Sequence, residues 1–209
     1  MKKLAIISEC LALLALTACG ASPAVTENGE KDGSESVSES SAAKESDAAS
    51  GLVMQTPEGF DEEISECLKT YFTAIEQHRY AGYEETVYPP YVEVYAEYLK
   101  EREMTLETAF DSLCSRFDED GYDSWHLTEL VAEETELTED ELNNFFDAYV
   151  SGGVFDEAFV EQCKEDADEI KDIKFTLYAL YEGDEEAIPI VTGSEILMLK
   201  TEAGTYLFG

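Results

Sequence analysis

The side chains here able to move protons are few: two histidines, twelve tyrosines and a large excess of carboxylates. Acid–base catalysis would need His78 or His126 brought against an Asp or Tyr in one pocket, with pKa values pushed apart. His126 follows Trp125 in a β-favouring stretch, which makes it the candidate ligand-binding residue. A solvated strand histidine among acids is the plainer reading of the same residue. His78 stands near a helix end, where it can interact with the terminal carbonyls. A second cluster, Asp118, Asp120 and Asp123 around Gly121, offers hard oxygen donors at a turn, the chemistry calcium favours. Placing Gly121 at the sixth position of an EF-hand loop puts Arg116 at the first ligand and Leu127 at the twelfth, which excludes that motif. An acidic helix-ending turn is the simpler account. Gly-x-Ser-x-Gly, phosphate-loop, dinucleotide and His-Glu-x-x-His patterns are missing. No catalytic residue is therefore assigned, and no cofactor or resident metal is expected.

Five cysteines carry the remaining nucleophilic chemistry, and two lie in the first nineteen residues. That segment has Lys2 and Lys3, an apolar run from Leu4 to Leu16 interrupted by Ser8 and Glu9, then Leu16-Thr17-Ala18-Cys19-Gly20. This is the layout of an export signal, too short to span a bilayer, which takes ~20 apolar residues. Leu16-Thr17-Ala18-Cys19 resembles the bacterial lipobox. The resemblance implies cleavage between Ala18 and Cys19, acylation of the Cys19 thiol by palmitate-type chains, and residence on the extracytoplasmic face of the cell membrane. Each buried methylene contributes ~0.8 kcal/mol, so two or three chains hold where one is marginal. Cys67, Cys114 and Cys163 are left, an odd number on apolar helical stripes, and are read as small buried hydrophobes.

Three segments follow: a signal peptide over 1–18, an acylated cysteine with a Ser/Glu/Ala-rich linker over 19–55, and one acidic domain over 56–209. The linker lacks aromatic residues, so it cannot offset its ordering entropy by burial, and disorder is expected. The chain carries a formal charge of −35. Such a field repels phosphate and anionic headgroups, so nucleic acid is excluded as a partner. The expected partners are the membrane, through the lipid, and an envelope protein or a small ligand.

Within the domain, Thr56-Pro57-Glu58 reads as a helix start, and Phe60, Ile64, Cys67, Leu68, Tyr71, Phe72 and Ile75 recur at helical spacing to about Arg79. Tyr80-Ala81-Gly82-Tyr83 and Tyr88-Pro89-Pro90 break the chain before a short helix from Tyr91, whose Tyr91, Tyr95 and Tyr98 suit either core or contact surface. Thr105 caps the next helix, with Leu106, Phe110, Leu113 and Cys114 on its stripe. Residues 122–137 favour a strand. Thr138 and Glu141 form a capping box, Gly152-Gly153 stops that helix, and Phe155, Phe159, Cys163, Ala167 and Ile170 mark another. From Ile173 the period becomes two, with turns at Glu182–Glu185 and Thr201–Gly204, and Pro189 and Gly193 mark an edge or bulge. The expected class is α+β, with N-terminal helices packed on a curved C-terminal antiparallel sheet.

Taken together, Tyr71-Phe72-Thr73-Ala74-Ile75, the Tyr88-Pro89-Pro90 break and the closing run Ile196–Lys200 before Gly204-Thr205-Tyr206 resemble the nuclear-transport-factor-2-like, cystatin-related superfamily. The resemblance implies a sheet wrapped around a long helix as a cone. It also implies either a non-enzymatic binding domain or, alternatively, an isomerase or dehydratase pocket.

Overall fold

The computed structural model describes residues 51–117 and 124–209. Its element order is β1 (Val53–Gln55), α1 (Glu62–Glu76), α2 (Tyr80–Glu84), α3 (Pro89–Lys100), α4 (Leu106–Cys114), β2 (Trp125–Thr135), α5 (Glu139–Ser151), α6 (Glu157–Asp166), β3 (Ala167–Tyr181), β4 (Ile188–Thr201) and β5 (Gly204–Leu207). The class is α+β, as expected. The sheet is mixed, however, because β1 runs parallel to β2 while β2, β3, β4 and β5 follow one another antiparallel. A helix-bearing crossover between β1 and β2 permits that parallel pairing, which a hairpin cannot give.

β1 also corrects the domain boundary. Residues 53–55 fall in the linker by composition, yet Val53, Met54 and Gln55 pair with Glu129, Leu130 and Val131, and Leu52 is buried. Leu52 is buried and Met54 packs against the core, while Val53 stays exposed, so burial of two residues and the backbone ladder to β2 order this end of the segment. The domain thus reaches back to Leu52.

Helix α1 is capped by Asp61 rather than by Thr56. The Asp61 carboxylate accepts from the amides of Glu63 and Ile64, at 2.9 and 3.3 Å, and also receives Lys200 Nζ from β4 at 2.7 Å. Lys200 holds the Asp61 carboxyl below its ordinary range, so this contribution is present above pH ~3.8 and fades as pH falls through the native value. One side chain therefore both caps the central helix and ties it to the sheet.

Where α1 ends, His78 takes a left-handed backbone, φ 50°, and the amides of His78 and Arg79 donate to Ile75 and Ala74. This is a Schellman closure. α3 ends the same way at Glu103 (φ 59°), and α5 does so at Gly153 (φ 70°), the residue type that suits the position. His78 thus meets the terminal carbonyls, as expected from sequence, and does so through its backbone amide. Beyond it, the supposed break at Tyr80–Tyr83 is the short helix α2. Gly82 allows this, since a Cβ there would lie 3.3 Å from that of Ala74 on α1.

The other caps follow the sequence. Thr105 accepts from the Thr108 amide, and Thr138 and Glu141 make both bonds of the capping box. α3 starts two residues earlier than read, at Pro89, because proline suits the first helical position. α6 stops at Asp166, so Ala167 and Ile170 belong to β3, where pairing with Thr201 and Leu199 overrides their helical spacing. Pro189 and Gly193 sit where β4 has no β5 partner, beside register irregularities against β3.

A single core joins these layers. Ile64, Leu68, Tyr71, Phe72 and Ile75 of α1 are buried with Leu127 and Leu130 of β2, Ile173, Phe175 and Leu177 of β3, and Met198 and Leu199 of β4. Cys114 and Cys163 lie within it, and no disulfide links the three cysteines among the described residues. Burial pushes the thiols of Cys67 and Cys163 up to about 12, so neither forms a reactive thiolate near neutral pH.

Candidate functional site

His126 is exposed on β2, as its plainer reading has it. Its charged neighbour is Glu76, at the end of α1. One Glu76 carboxylate oxygen accepts the Leu127 amide at 3.0 Å, near the start of β2, which β1, paired only with Glu129–Val131, does not reach. Burial raises the Glu76 pKa, against the lowering pull of that amide and of His126. No tyrosine hydroxyl joins this pair in a hydrogen bond among the described residues, so the Asp/His–Tyr constellation that an isomerase would use is not assembled here. Glu76 is instead a structural acceptor for a strand amide. Its position was missed because nothing in Ile75-Glu76-Gln77 distinguishes it from the many solvated glutamates of the chain.

The tyrosines divide into two groups. Tyr91, Tyr95 and Tyr98 stack along α3, with ring centroids 5.4 and 5.9 Å apart, and the Arg102 guanidinium lies 3.5 Å above the Tyr98 ring. All three rings are buried, so they belong to the core rather than to an open contact surface. Tyr71 lies deeper, fully buried, with a hydroxyl that has no hydrogen-bond partner among the described residues. Burial lifts its pKa well above the ordinary phenol value, with Tyr83, Tyr149 and Cys114 adding to the rise. A buried unsatisfied hydroxyl costs stability, and its removal at constant ring shape relieves that cost. Tyr71→Phe is expected to raise the free energy of unfolding by about 1 kcal/mol in urea titration. A fall of that size instead would reveal a bound water or other partner on the phenol.

The second group lies at the surface side of the core, with Tyr206 partly exposed and Tyr88 3% exposed. Tyr88, which precedes α3, and Tyr206 of β5 line a groove of about 510 Å³ together with Pro89, Pro90, Glu165, Asp166, Asp168, Thr201, Glu202 and Ala203. Chain elements far apart in sequence meet there: the start of α3, the α6–β3 junction and the β4–β5 turn. A short parallel bridge, Val87 to Leu207, holds the first of these against the last, with the Tyr88 amide donating to the Leu207 carbonyl at 2.9 Å. The Tyr88 hydroxyl donates to Asp166 Oδ2 at 2.6 Å, fixing one carboxylate of the wall. Tyr206 folds back over Gly204, and its hydroxyl donates to the Ala203 carbonyl at 3.4 Å. Sequence reading missed this groove, although Pro89-Pro90 and the turn at Thr201–Gly204 were both recognised. What could not be seen was that they face each other.

Cys19 and Ala18, with the proposed cleavage point, and the calcium candidates Asp118, Asp120 and Asp123 lie outside the described residues. Among the described residues, no three His, Cys, Asp or Glu side chains converge closely enough to hold a metal ion. Among them too, no helix is long and apolar enough to cross a membrane. Comparison of the chain with family models, curated proteins and solved structures gave no match.

Proposed function

We propose that this chain is a lipoprotein held on the outer face of a cell membrane through Cys19, whose α+β domain binds a ligand or protein partner without transforming it. The anchor rests on Leu16-Thr17-Ala18-Cys19-Gly20 behind two lysines and an apolar run. The binding role rests on one observation, the groove between Tyr88 and Tyr206, which gathers aromatic rings and carboxylates but no nucleophile with a base to activate it. The cone-shaped, cystatin-related reading draws support from the order of parts: a short strand, a long buried helix, then successive antiparallel strands in the spatial order β2-β3-β4-β5. The rival is an isomerase or dehydratase, which would have to use Glu76 and His126, and Glu76 is already committed to the Leu127 amide.

Fractionation and intact-mass measurement test the anchor. The native-host protein is expected in the membrane fraction, with an N-terminal cysteine and a mass above that of the bare polypeptide from residue 19. Cys19→Ala is expected to leave the membrane fraction. If that variant stays there, or if the mature protein begins at another residue, the anchor is refuted. Native mass spectrometry of the wild-type protein tests the binding role, by asking whether a small molecule or partner chain leaves the host with it.

A further inference from the structure

The groove is short of positive charge in a way the local sequence does not require. Glu165, Asp166, Asp168 and Glu202 are exposed around it, and no lysine or arginine among the described residues lines it. Two lysines adjoin these residues in sequence, yet both point elsewhere. Lys164 Nζ donates to Asn143 Oδ1 at 3.0 Å and faces the Phe146 ring. Lys200 Nζ is taken by Asp61 and Glu63 at 2.7 and 3.1 Å. The carboxylates are thus left without the internal counter-ions nearest to them.

The groove also meets one partly exposed aromatic ring, that of Tyr206, packed against the buried ring of Tyr88. The Tyr88 and Tyr206 ring centroids are 6.4 Å apart and their planes are inclined at 58°, with the pyrrolidine rings of Pro89 and Pro90 beside them. Aromatic faces beside carboxylates attract organic cations, through the ring quadrupole and the charge together. A bare divalent ion is the poorer fit, since it needs several oxygens on one point, and the described carboxylates do not converge so.

We propose that this groove binds an alkylammonium group, carried either by a free amine or by a lysine side chain of a partner, between Tyr206 and the carboxylates of Asp166, Asp168 and Glu202. The proposal deepens the binding role and is independent of the lipid anchor. Asp166 is held in place by the Tyr88 hydroxyl, so it meets the cation without first being ordered. Exposed charge makes the interaction sensitive to salt.

Isothermal titration of the full chain, in low and in physiological salt, tests this with two probes, spermidine and trilysine. Saturable binding of at least one is expected. Spermidine binding points to a free amine, and binding of trilysine alone points to a lysine of a protein. Asp168→Asn with Glu202→Gln, and separately Tyr206→Leu, are expected to weaken that binding at least tenfold. The control pair Glu185→Gln with Glu186→Gln, on the turn at the opposite end of β3, should change it less than twofold. Thermal melting of each variant guards against unfolding as the cause. Absence of saturable binding to both probes overturns the proposal, and so does equal weakening by the control pair, which would mean attraction to net charge alone. Neither result touches the membrane fractionation.

Discussion

Phe208→Ala is expected to lower the free energy of unfolding by about 3–5 kcal/mol, the range for removing a buried aromatic ring. Phe208 is 2% exposed and its ring lies 5.0 to 6.5 Å, centroid to centroid, from those of Tyr88, Tyr91, Phe145, Phe146, Tyr149, Phe155 and Phe159. Most of these contacts are edge-to-face, the arrangement that the ring quadrupole favours, with a contribution of roughly 0.5–1.5 kcal/mol per pair beyond the area buried. The seven partners come from the start of α3, from α5 and from the segment running into α6, so one ring joins elements that otherwise share few bonds. The Phe208 amide, donating to the Leu197 carbonyl at 2.9 Å, fixes the ring to the sheet. Urea titration reads the loss directly. Phe208→Leu should recover more than half of it, because volume matters more here than aromaticity. A cost below about 1 kcal/mol for the alanine variant would mean that the surrounding rings collapse into the space, and that this cluster does not hold the helices to the sheet.

The second large effect is expected at Glu76. Glu76→Ala leaves the Leu127 amide without its acceptor beside a residue that is 1% exposed, at a cost of about 1–3 kcal/mol. Glu76→Gln keeps an oxygen for that amide and loses the charge. Since burial raises the native pKa of this carboxyl, the folded protein holds the proton more tightly than the unfolded chain does. Its contribution is complete below the unfolded value of 4.5 and is lost as pH rises through the higher native value. Glu76→Gln should therefore be at least as stable as wild type at pH 7, and should flatten the change in stability over that acidic window. Equal losses for Gln and Ala at neutral pH would show that the charge on Glu76, through His126, outweighs the strand amide.

How far the sequence could be read depended on whether an element is decided locally. Thr105, Thr138 with Glu141, and the pause at Gly152-Gly153 act within a few residues, and each stands where the sequence placed it. The alternation from Ile173 to Tyr181 is likewise a local signature, and the strand is there. Errors arose wherever a distant partner decided. Asp61 outcompetes Thr56 as the helix start, and Lys200 of β4, far along the chain, helps to hold it. Val53–Gln55 became a strand because β2 offers them an edge, and Ala167–Ile170 left the helix because β4 pairs with them. The groove was hidden for the same reason, its walls being three chain segments that only the fold brings face to face. Where His126 lies was legible, but that Glu76 would be its neighbour was not.

The parallel pairing of β1 with β2 bears on how a pull would enter the domain. A force on the chain ahead of Leu52 arrives first at Val53–Gln55, whose ladder to Glu129–Val131 lies along the strand direction. Tension along that axis loads the rungs together rather than parting them one by one, with the buried Leu52 side chain as a stop. The sheet edge, not the helical layer, would take the first strain, and the groove at the far strands would keep its shape while it did so.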